Sequence, residues 1–523
     1  MAAVARMQPE DTTYWLVREA FGWSVVLQIL WRFPAVPQHA DLETFAERLR
    51  HSVLNRRLIR ARTPFARHRW VHADFAPELL VDEDPILVDE VEAWSGTELY
   101  SSPLDPERGP AWRLRGVPIE GGGFVLSLTA LHLIADGRTM VTAAAAALTG
   151  APTDPLAHGP AHGPLSRVAP GPRPSSSDSK PPRRRSGPMI TRSWWRVPLG
   201  RYLSGSLVID GPTPSDDDSG YRRAVRRLSD SSPGLLAARG VTRRLGDIAL
   251  DAADGVGQVG AAGLGIGRAA VAFTRHRGAE APGGERPTKP QAHVRSPLAR
   301  NSWATVSVDA AHWESVAGQH GGTTNTLFIA ILAGALRASG YGTALKVGVP
   351  VSRRAQDDDA RGNATAGVSV LLTEDLTPGG DLGPLRRQCK EAFTRLSAGE
   401  RAPHVHLLPL VSLLPTGLVV RAATAGSGMP DVVASNLGDF ADEVRCLGGI
   451  SASAVAFRGI AQGVDPAEPY RFGDGVQSWA MRTGDVWTFS VAAFDEQHFP
   501  RPDDLRELLA VELDGWGVEH RMW

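Results

Sequence analysis

Cysteine is almost missing from this sequence: Cys389 and Cys446 are the only two in 523 residues, and neither sits in a CxxC-like pair. That scarcity excludes a disulfide framework and a cysteine-based zinc knuckle, and it fits a reducing compartment. Charge of one sign is missing as well. The 56 Lys and Arg against 57 Asp and Glu leave a net charge of -1, so no long-range field steers a polyanion and nucleic acid is not an expected partner. No run reaches the roughly 18 apolar residues needed to span a bilayer. The N-terminus, "MAAVARMQPEDTTYW", meets Pro9, Glu10 and Asp11 before any apolar segment forms, which predicts no secretory signal. The expected location is cytoplasmic, at most resting on a membrane or lipid-droplet surface. A GxSxG elbow and a P-loop are also absent, which removes support for a hydrolase triad or an NTPase.

What is present is a chain long enough for two or three domains, at about 150 residues each. Residues 1–150 read as an N-terminal lobe of mixed elements: a capped helix from Asp11, the apolar run "WSVVLQILWRF" from Trp23, and the amphipathic stretch "DLETFAERLRHSVLN". Leu42, Phe45, Leu49, Val53 and Leu54 recur near helical spacing, which predicts one buried face. Residues 151–188 are so rich in Pro, Gly and Ser that they read as a linker, because they cannot bury enough apolar area to offset their ordering entropy. Residues 189–295 read as a variable connecting region. Residues 296–523 alternate strands such as "ALKVGVPVS" and "VWTFSVAAF" with helices such as "PDDLRELLAVEL", and read as a second α/β lobe.

Within the first lobe, "FVLSLTALHLIADG" carries one histidine in an apolar, strand-like run. Period-2 alternation places Phe124, Leu126, Leu128, Ala130 and His132 on one face, with Val125, Ser127, Thr129 and Leu131 on the other. Both faces are largely apolar, so the strand is predicted to lie inside the lobe with His132 at its end. Asp136-Gly137 then turns the chain into the Ala-rich helix "RTMVTAAAAALTG". Two readings of His132 stay open on these residues: a core imidazole satisfied by a carbonyl, or a neutral general base at the mouth of a buried strand.

"HLIADG", His132 to Gly137, resembles the HHxxxDG motif of the chloramphenicol-acetyltransferase-like acyltransferases. Upstream, "PLDPERGPAWRLRGVPIEGGGFVLSLTALH" is similar to that family's approach to the motif. Downstream, "TTNTLFIAILAGALR", "VPVSRR" followed by "RGNATAGVSVLLT", and "ASNLGDF" resemble its Asn-containing helix start, its Pro-x-Ser-x-Arg and Gly-Asn segments, and its Ser-Asn-x-x-Gly loop. The resemblance covers about residues 8–150 and 296–515, and it is nearest to the bacterial wax ester synthase/diacylglycerol acyltransferase branch. It implies an α/β fold of two such lobes, each with a mixed sheet, around a central tunnel. It also implies an acyltransferase that moves a fatty acyl group from acyl-CoA, as co-substrate, to a long-chain alcohol or diacylglycerol, with no metal and no other cofactor.

Carried over by position, the resemblance makes His132 the base and Asp136 its organising catalytic-motif partner, paired with Arg354 of the other lobe. Gly137 takes the turn, and Asn325, Ser352 and Asn436 fall at substrate-binding or oxyanion positions. Two positions depart from the pattern: Leu131 replaces the first motif histidine, and Asn325-Thr326 replaces an Asn-Asp pair. A carrier-protein-dependent condensation-like transferase and a non-catalytic acyl-ligand-binding protein are the alternatives.

Three further stretches invite other readings. "GVGQVG", Gly255 to Gly260, fits G-x-G-x-x-G but lacks the β-branched strand a dinucleotide fold needs before it, so a loosely helical small-residue segment is expected. His404 and His406 of "HVH" could share a strand face, with no third metal ligand near. Arg183, Arg184 and Arg185 with Trp194 and Trp195 combine cations and aromatics as a lipid surface would require, or form an ordinary basic loop beside packing tryptophans.

Overall fold

Apolar residues on both faces make Phe124–Leu131 an interior strand, and all eight of its residues are buried. It lies third in a five-stranded mixed sheet of order Ala454–Gln462, Ser24–Phe33, Phe124–Leu131, Trp112–Pro118, Leu79–Val81. Its neighbours on either side pair antiparallel, with Leu128 opposite both Ile29 and Leu114. This computed structural model describes residues 5–75, 77–151, 233–276, 302–354, 361–374, 376–400, 403–411, 413–414, 430–464, 475–495 and 497–523. The linker expected over 151–188, including Arg183 to Arg185, and Trp194 and Trp195 beyond it, lie outside the described residues.

The second sheet is also mixed. Seven strands run in the order Thr365–Leu372, Leu345–Ser352, Val432–Phe440, Val476–Thr483, Val486–Ala493, Ser302–Asp309, Arg521–Met522. Val432–Phe440 is parallel to both of its neighbours and the remaining pairs are antiparallel. The apolar helix Thr324–Ala338 packs beneath this sheet with Leu327 to Leu336 buried throughout. At about 1.5–3 kcal/mol for each fully buried large apolar side chain, that helix alone accounts for a substantial share of the lobe's cohesion.

One element crosses between the halves. The expectation that residues 296–523 form the second lobe meets an exception at Ala454–Gln462, which pairs over its whole length with Ser24–Phe33, Phe457 opposite Ile29. The first lobe's core accordingly includes Leu437, Phe457, Met481 and Phe494 from the far end of the chain. The lobes are therefore joined by a shared sheet edge as well as by surface contact.

The connecting region contributes a 44-residue helix, Pro233–His276. Gly255 to Gly260 sits inside it, so "GVGQVG" is helical, and no nucleotide-binding turn forms. Gly255 meets the carbonyl of Pro64 where a Cβ would lie 3.2 Å away, and Gly265 meets that of His406 more closely still. Its carboxylates point inward: Asp247 to Arg69, Asp251 to Arg6 and Asp254 to Arg67, each at 2.7–2.8 Å. Most of its outward positions are apolar or glycine, with Val256 and Leu264 exposed by 75% and 66%. This inverts the usual amphipathic arrangement, in which a surface helix turns its apolar stripe to the core. His404 and His406 lie on a 3-10 turn, Pro403–Leu407, and not on a strand.

Candidate functional site

The interior strand ends at Leu131, and a turn carries the chain through His132 to Asp136. His132 is anchored at its backbone, where its amide donates to the carbonyl of Val25 at 2.8 Å. Asp136 then caps the helix Gly137–Thr149 by accepting from the Thr139 amide, and Gly150 closes that helix in the left-handed region at φ +78°. The result is an imidazole projecting from a strand end into a cavity of about 400 Å³. Both lobes wall it: Tyr14, Val17 and Leu27 from the first, Pro350, Val433 and Trp479 from the second. The crossing strand adds Phe457 and Ile460.

Both ring nitrogens of His132 have partners. Nε2 lies 2.9 Å from the Tyr14 hydroxyl, and the two rings stack with centroids 3.9 Å apart and planes 21° from parallel. Nδ1 lies 3.1 Å from Oδ1 of Asn363. The Asn363 amide nitrogen in turn donates to Asp11 Oδ1 at 2.8 Å and to the carbonyls of His132 and Leu133 at 3.0 and 3.1 Å. Asp11 Oδ2 accepts from the Gln8 amide and from Trp70 Nε1 at 2.8 and 3.1 Å.

Burial dominates the electrostatics here. Loss of solvent lowers the His132 pKa, against the opposing pull of its backbone, Asp136 and Asn363, so the neutral ring is the resting form at neutral pH. Burial likewise lifts Asp11 to about 6 despite its hydrogen-bond donors, and pushes the Tyr14 phenol up, with Asp136 and Asp11 adding to the effect.

Asp136 and Arg354, expected as partners across the lobes, are joined at 2.9 Å with side chains 5% and 9% exposed. Arg354 also donates to the Thr139 hydroxyl and to the carbonyls of Arg361 and Gly362. Asp136 collects further donors from the Ala364 amide at 2.9 Å and the Thr365 hydroxyl at 3.1 Å. Burial opposes ionisation of Asp136, yet Arg354 and the amides of Ala364 and Thr139 hold its pKa below the ordinary value. Its charge reaches His132 through space, and it acts on the turn and on lobe closure.

The remaining expected residues divide. Ser352 and Asn436 line the cavity. Asn325 stands behind Asn436, accepting from its amide nitrogen at 2.8 Å, while Asn436 Oδ1 accepts from the Gly438 amide at 2.8 Å. Asn436 lies on the strand Val432–Phe440 and not in a loop; the loop-like wording of "ASNLGDF" corresponds to a register break between Asn436 and Asp439, with Gly438 at φ +97°. Gly137 is the first helical residue, and its need is for space instead of a turn: a Cβ there would lie 2.6 Å from Leu437 Cδ2 and 3.2 Å from Phe457. Leu131, at the position of the missing histidine, is 2% exposed in the core. Thr326, at the missing aspartate, completes a capping box with Thr323 and so keeps the cap without the charge.

Tyr14, Asn363 and Asp11 were not singled out by sequence. Asn363 lies in "RGN", the one signal that could have found it; Asp11 and Tyr14 had none beyond a helix start. Among the described residues, no three His, Cys, Asp or Glu side chains are grouped to hold a metal ion, and no helix is long and apolar enough to cross a membrane.

No family model matches the chain, and no curated protein matches it. Solved structures do. The wax ester synthase/diacylglycerol acyltransferase from Marinobacter aquaeolei VT8 matches over 98% of this chain and 98% of its own, with TM-score 0.50 at 14% identity. A variant of the starter condensation domain of rhizomide synthetase RzmA, solved in complex with C8-CoA, matches over 99% of this chain and 96% of its own, with TM-score 0.50 at 13% identity. At such identities the likeness establishes the fold: two lobes of the chloramphenicol-acetyltransferase-like, condensation-domain kind, as the motif resemblance implied.

Proposed function

We propose that the protein is an O-acyltransferase that moves a fatty acyl group from acyl-CoA to an alcohol, a long-chain alcohol or diacylglycerol, with His132 as general base. The observation that carries this reading is a partly buried, neutral imidazole projecting into an apolar cavity walled by both lobes. In the reaction, Nε2 takes the proton of the acceptor hydroxyl as its oxygen forms a bond to the thioester carbonyl carbon. The tetrahedral oxyanion collapses, the carbon–sulfur bond breaks, and the CoA thiolate takes the proton back from Nε2. Cavity walls of Val, Leu, Phe and Trp suit an acyl chain or an apolar acceptor. The fold-mate solved with C8-CoA supports a CoA thioester as donor. Ser352 and Asn436 are the oxyanion donors we assign. A lipid acceptor places the protein beside a membrane or lipid-droplet surface on the cytoplasmic side.

Release of free CoA thiol from palmitoyl-CoA, measured over a panel of long-chain alcohols and diacylglycerol, tests the proposal. Wild type should give acceptor-dependent release, and His132→Ala should lose roughly a hundredfold or more. Silence of both with CoA donors, but turnover with an acyl-carrier donor, would replace the donor and leave the role of His132 standing. Silence with every donor while acyl chains still bind would make this a ligand-binding protein.

A further inference from the structure

A histidine can take a proton only at the ring nitrogen that lacks one, and the unconstrained neutral ring exchanges its proton between the two nitrogens. Here the ring bonds to its own backbone, and a second constraint comes from another lobe. The amide nitrogen of Asn363 has three partners, the Asp11 carboxylate and the carbonyls of His132 and Leu133. Carbonyls and a carboxylate only accept. Turning the amide round would set oxygen against oxygen at all three places, inside a site where Asn363 and Asp11 are 1% and 3% exposed. Oδ1 is therefore the atom 3.1 Å from Nδ1, and an oxygen with no hydrogen requires a donor opposite it.

We propose that Asp11 and Asn363 are positioning residues that hold His132 as its Nδ1–H tautomer, with the lone pair kept on Nε2 toward the cavity. This rests on the reading of His132 as the base. The Tyr14 ring, stacked on the imidazole with its hydroxyl 2.9 Å from Nε2, lies over the ring face and restrains the ring from swinging, which leaves the in-plane lone pair of Nε2 for the acceptor. When Nε2 takes a proton, the charge spreads into a chain already aligned for it: Nδ1–H to the amide oxygen, and the amide N–H to a carboxylate. Asp11 belongs to the first helix, Pro9–Phe21, and Asn363 to the turn before Thr365–Leu372 in the second sheet. The base is thus preset only where the two lobes meet.

The test is 15N NMR of the full-length chain labelled at histidine, at pH 8, with the His132 signals among the 15 histidines identified by their loss in His132→Gln. The expected spectrum has a protonated Nδ1 and an unprotonated Nε2 in wild type. In Asn363→Leu that preference should weaken, the ring's bond to its own backbone remaining, and kcat for thiol release should fall roughly tenfold or more with KM little changed. A wild-type His132 carrying its proton on Nε2, or an unaltered tautomer in Asn363→Leu, overturns the proposal. Should Asn363→Leu fail to fold, the wild-type spectrum still decides it, and Asp11→Asn should weaken the same preference. The spectrum needs no turnover, so absence of transferase activity would count against the function and leave the tautomer to be judged separately.

Discussion

Asp11 and Asp136 are both buried carboxylates at helix starts beside His132, one in the first turn and the other at the cap, exposed by 3% and 4%, yet their environments push them opposite ways. Asp136 faces a guanidinium, two backbone amides and a hydroxyl, and is held below the ordinary carboxylate value. Asp11 faces three neutral donors with Arg56 only at a distance, and burial carries it to about 6. Hydrogen bonds alone do not offset the loss of water around a charge; a fixed opposite charge does. The site therefore separates two tasks between like residues: Asp136 fastens the lobes, and Asp11 holds the amide behind the base.

The most damaging way to erase this difference is Arg354→Ala, which gives Asp136 the environment of Asp11. It leaves a buried carboxylate without its cation, and the expected loss is about 3–5 kcal/mol, read from the denaturant midpoint at pH 7. A loss below about 1 kcal/mol would mean that the clasp is replaceable by its amide and hydroxyl donors.

The opposite signs also predict opposite pH behaviour. Asp136, held low, stabilises the fold above the ordinary carboxylate value and loses that contribution as pH falls through its folded value. Asp11, held high, binds its proton more tightly in the fold than in the unfolded chain. Its contribution is greatest below 3.8 and declines as pH rises from 3.8 to about 6, by about 3 kcal/mol at 1.36 kcal/mol per pH unit. Asp11→Asn abolishes that titration, so its cost relative to wild type should be larger at pH 4 than at pH 7 by about that amount. A difference that stays flat with pH would show that the fold leaves the Asp11 carboxyl at its ordinary value, and would cancel the contrast.

Sequence carried one of these aspartates and not the other. Asp136 and Arg354 stood in stretches whose wording resembled a motif, so their pairing could be expected before any fold was known. Asp11 and Asn363 meet only through space, 352 positions apart in the chain, and no periodicity records such a meeting. The same limit hid the crossing strand: "AVAFRGIAQ" is plainly apolar, but which sheet edge it completes depends on where Ser24–Phe33 lies. The helix Pro233–His276 was obscured by glycines that weaken helix propensity. The spacing of Asp247, Asp251 and Asp254 along one face was the readable sign, yet its meaning depended on Arg6, Arg67 and Arg69 lying opposite.

A smaller effect separates the clasp from the packing around it. Gly137→Ala leaves every hydrogen bond of Asp136 in place and adds only a methyl group against Leu437 and Phe457. Overpacking should cost about 1–2 kcal/mol after the gain in helix propensity, and it should raise the KM for long acyl chains because both neighbours wall the cavity. An unchanged KM would separate the space at Gly137 from substrate binding.

The finest comparison removes one donor from Asp136 and leaves its cation. Thr365→Val deletes the hydroxyl 3.1 Å from Oδ2 with almost no change of volume, so Asp136 keeps Arg354 and the Ala364 amide. Because the lost bond is to a charged acceptor, about 1–2 kcal/mol of stability should go at pH 7. The acid limb of the stability curve should move to slightly higher pH, because one of the groups that hold this carboxyl low has gone. If Thr365→Val instead costs as much as Arg354→Ala, the clasp is a single cooperative network in which each donor is indispensable, and the distinction between a charge partner and a hydrogen-bond partner fails for Asp136.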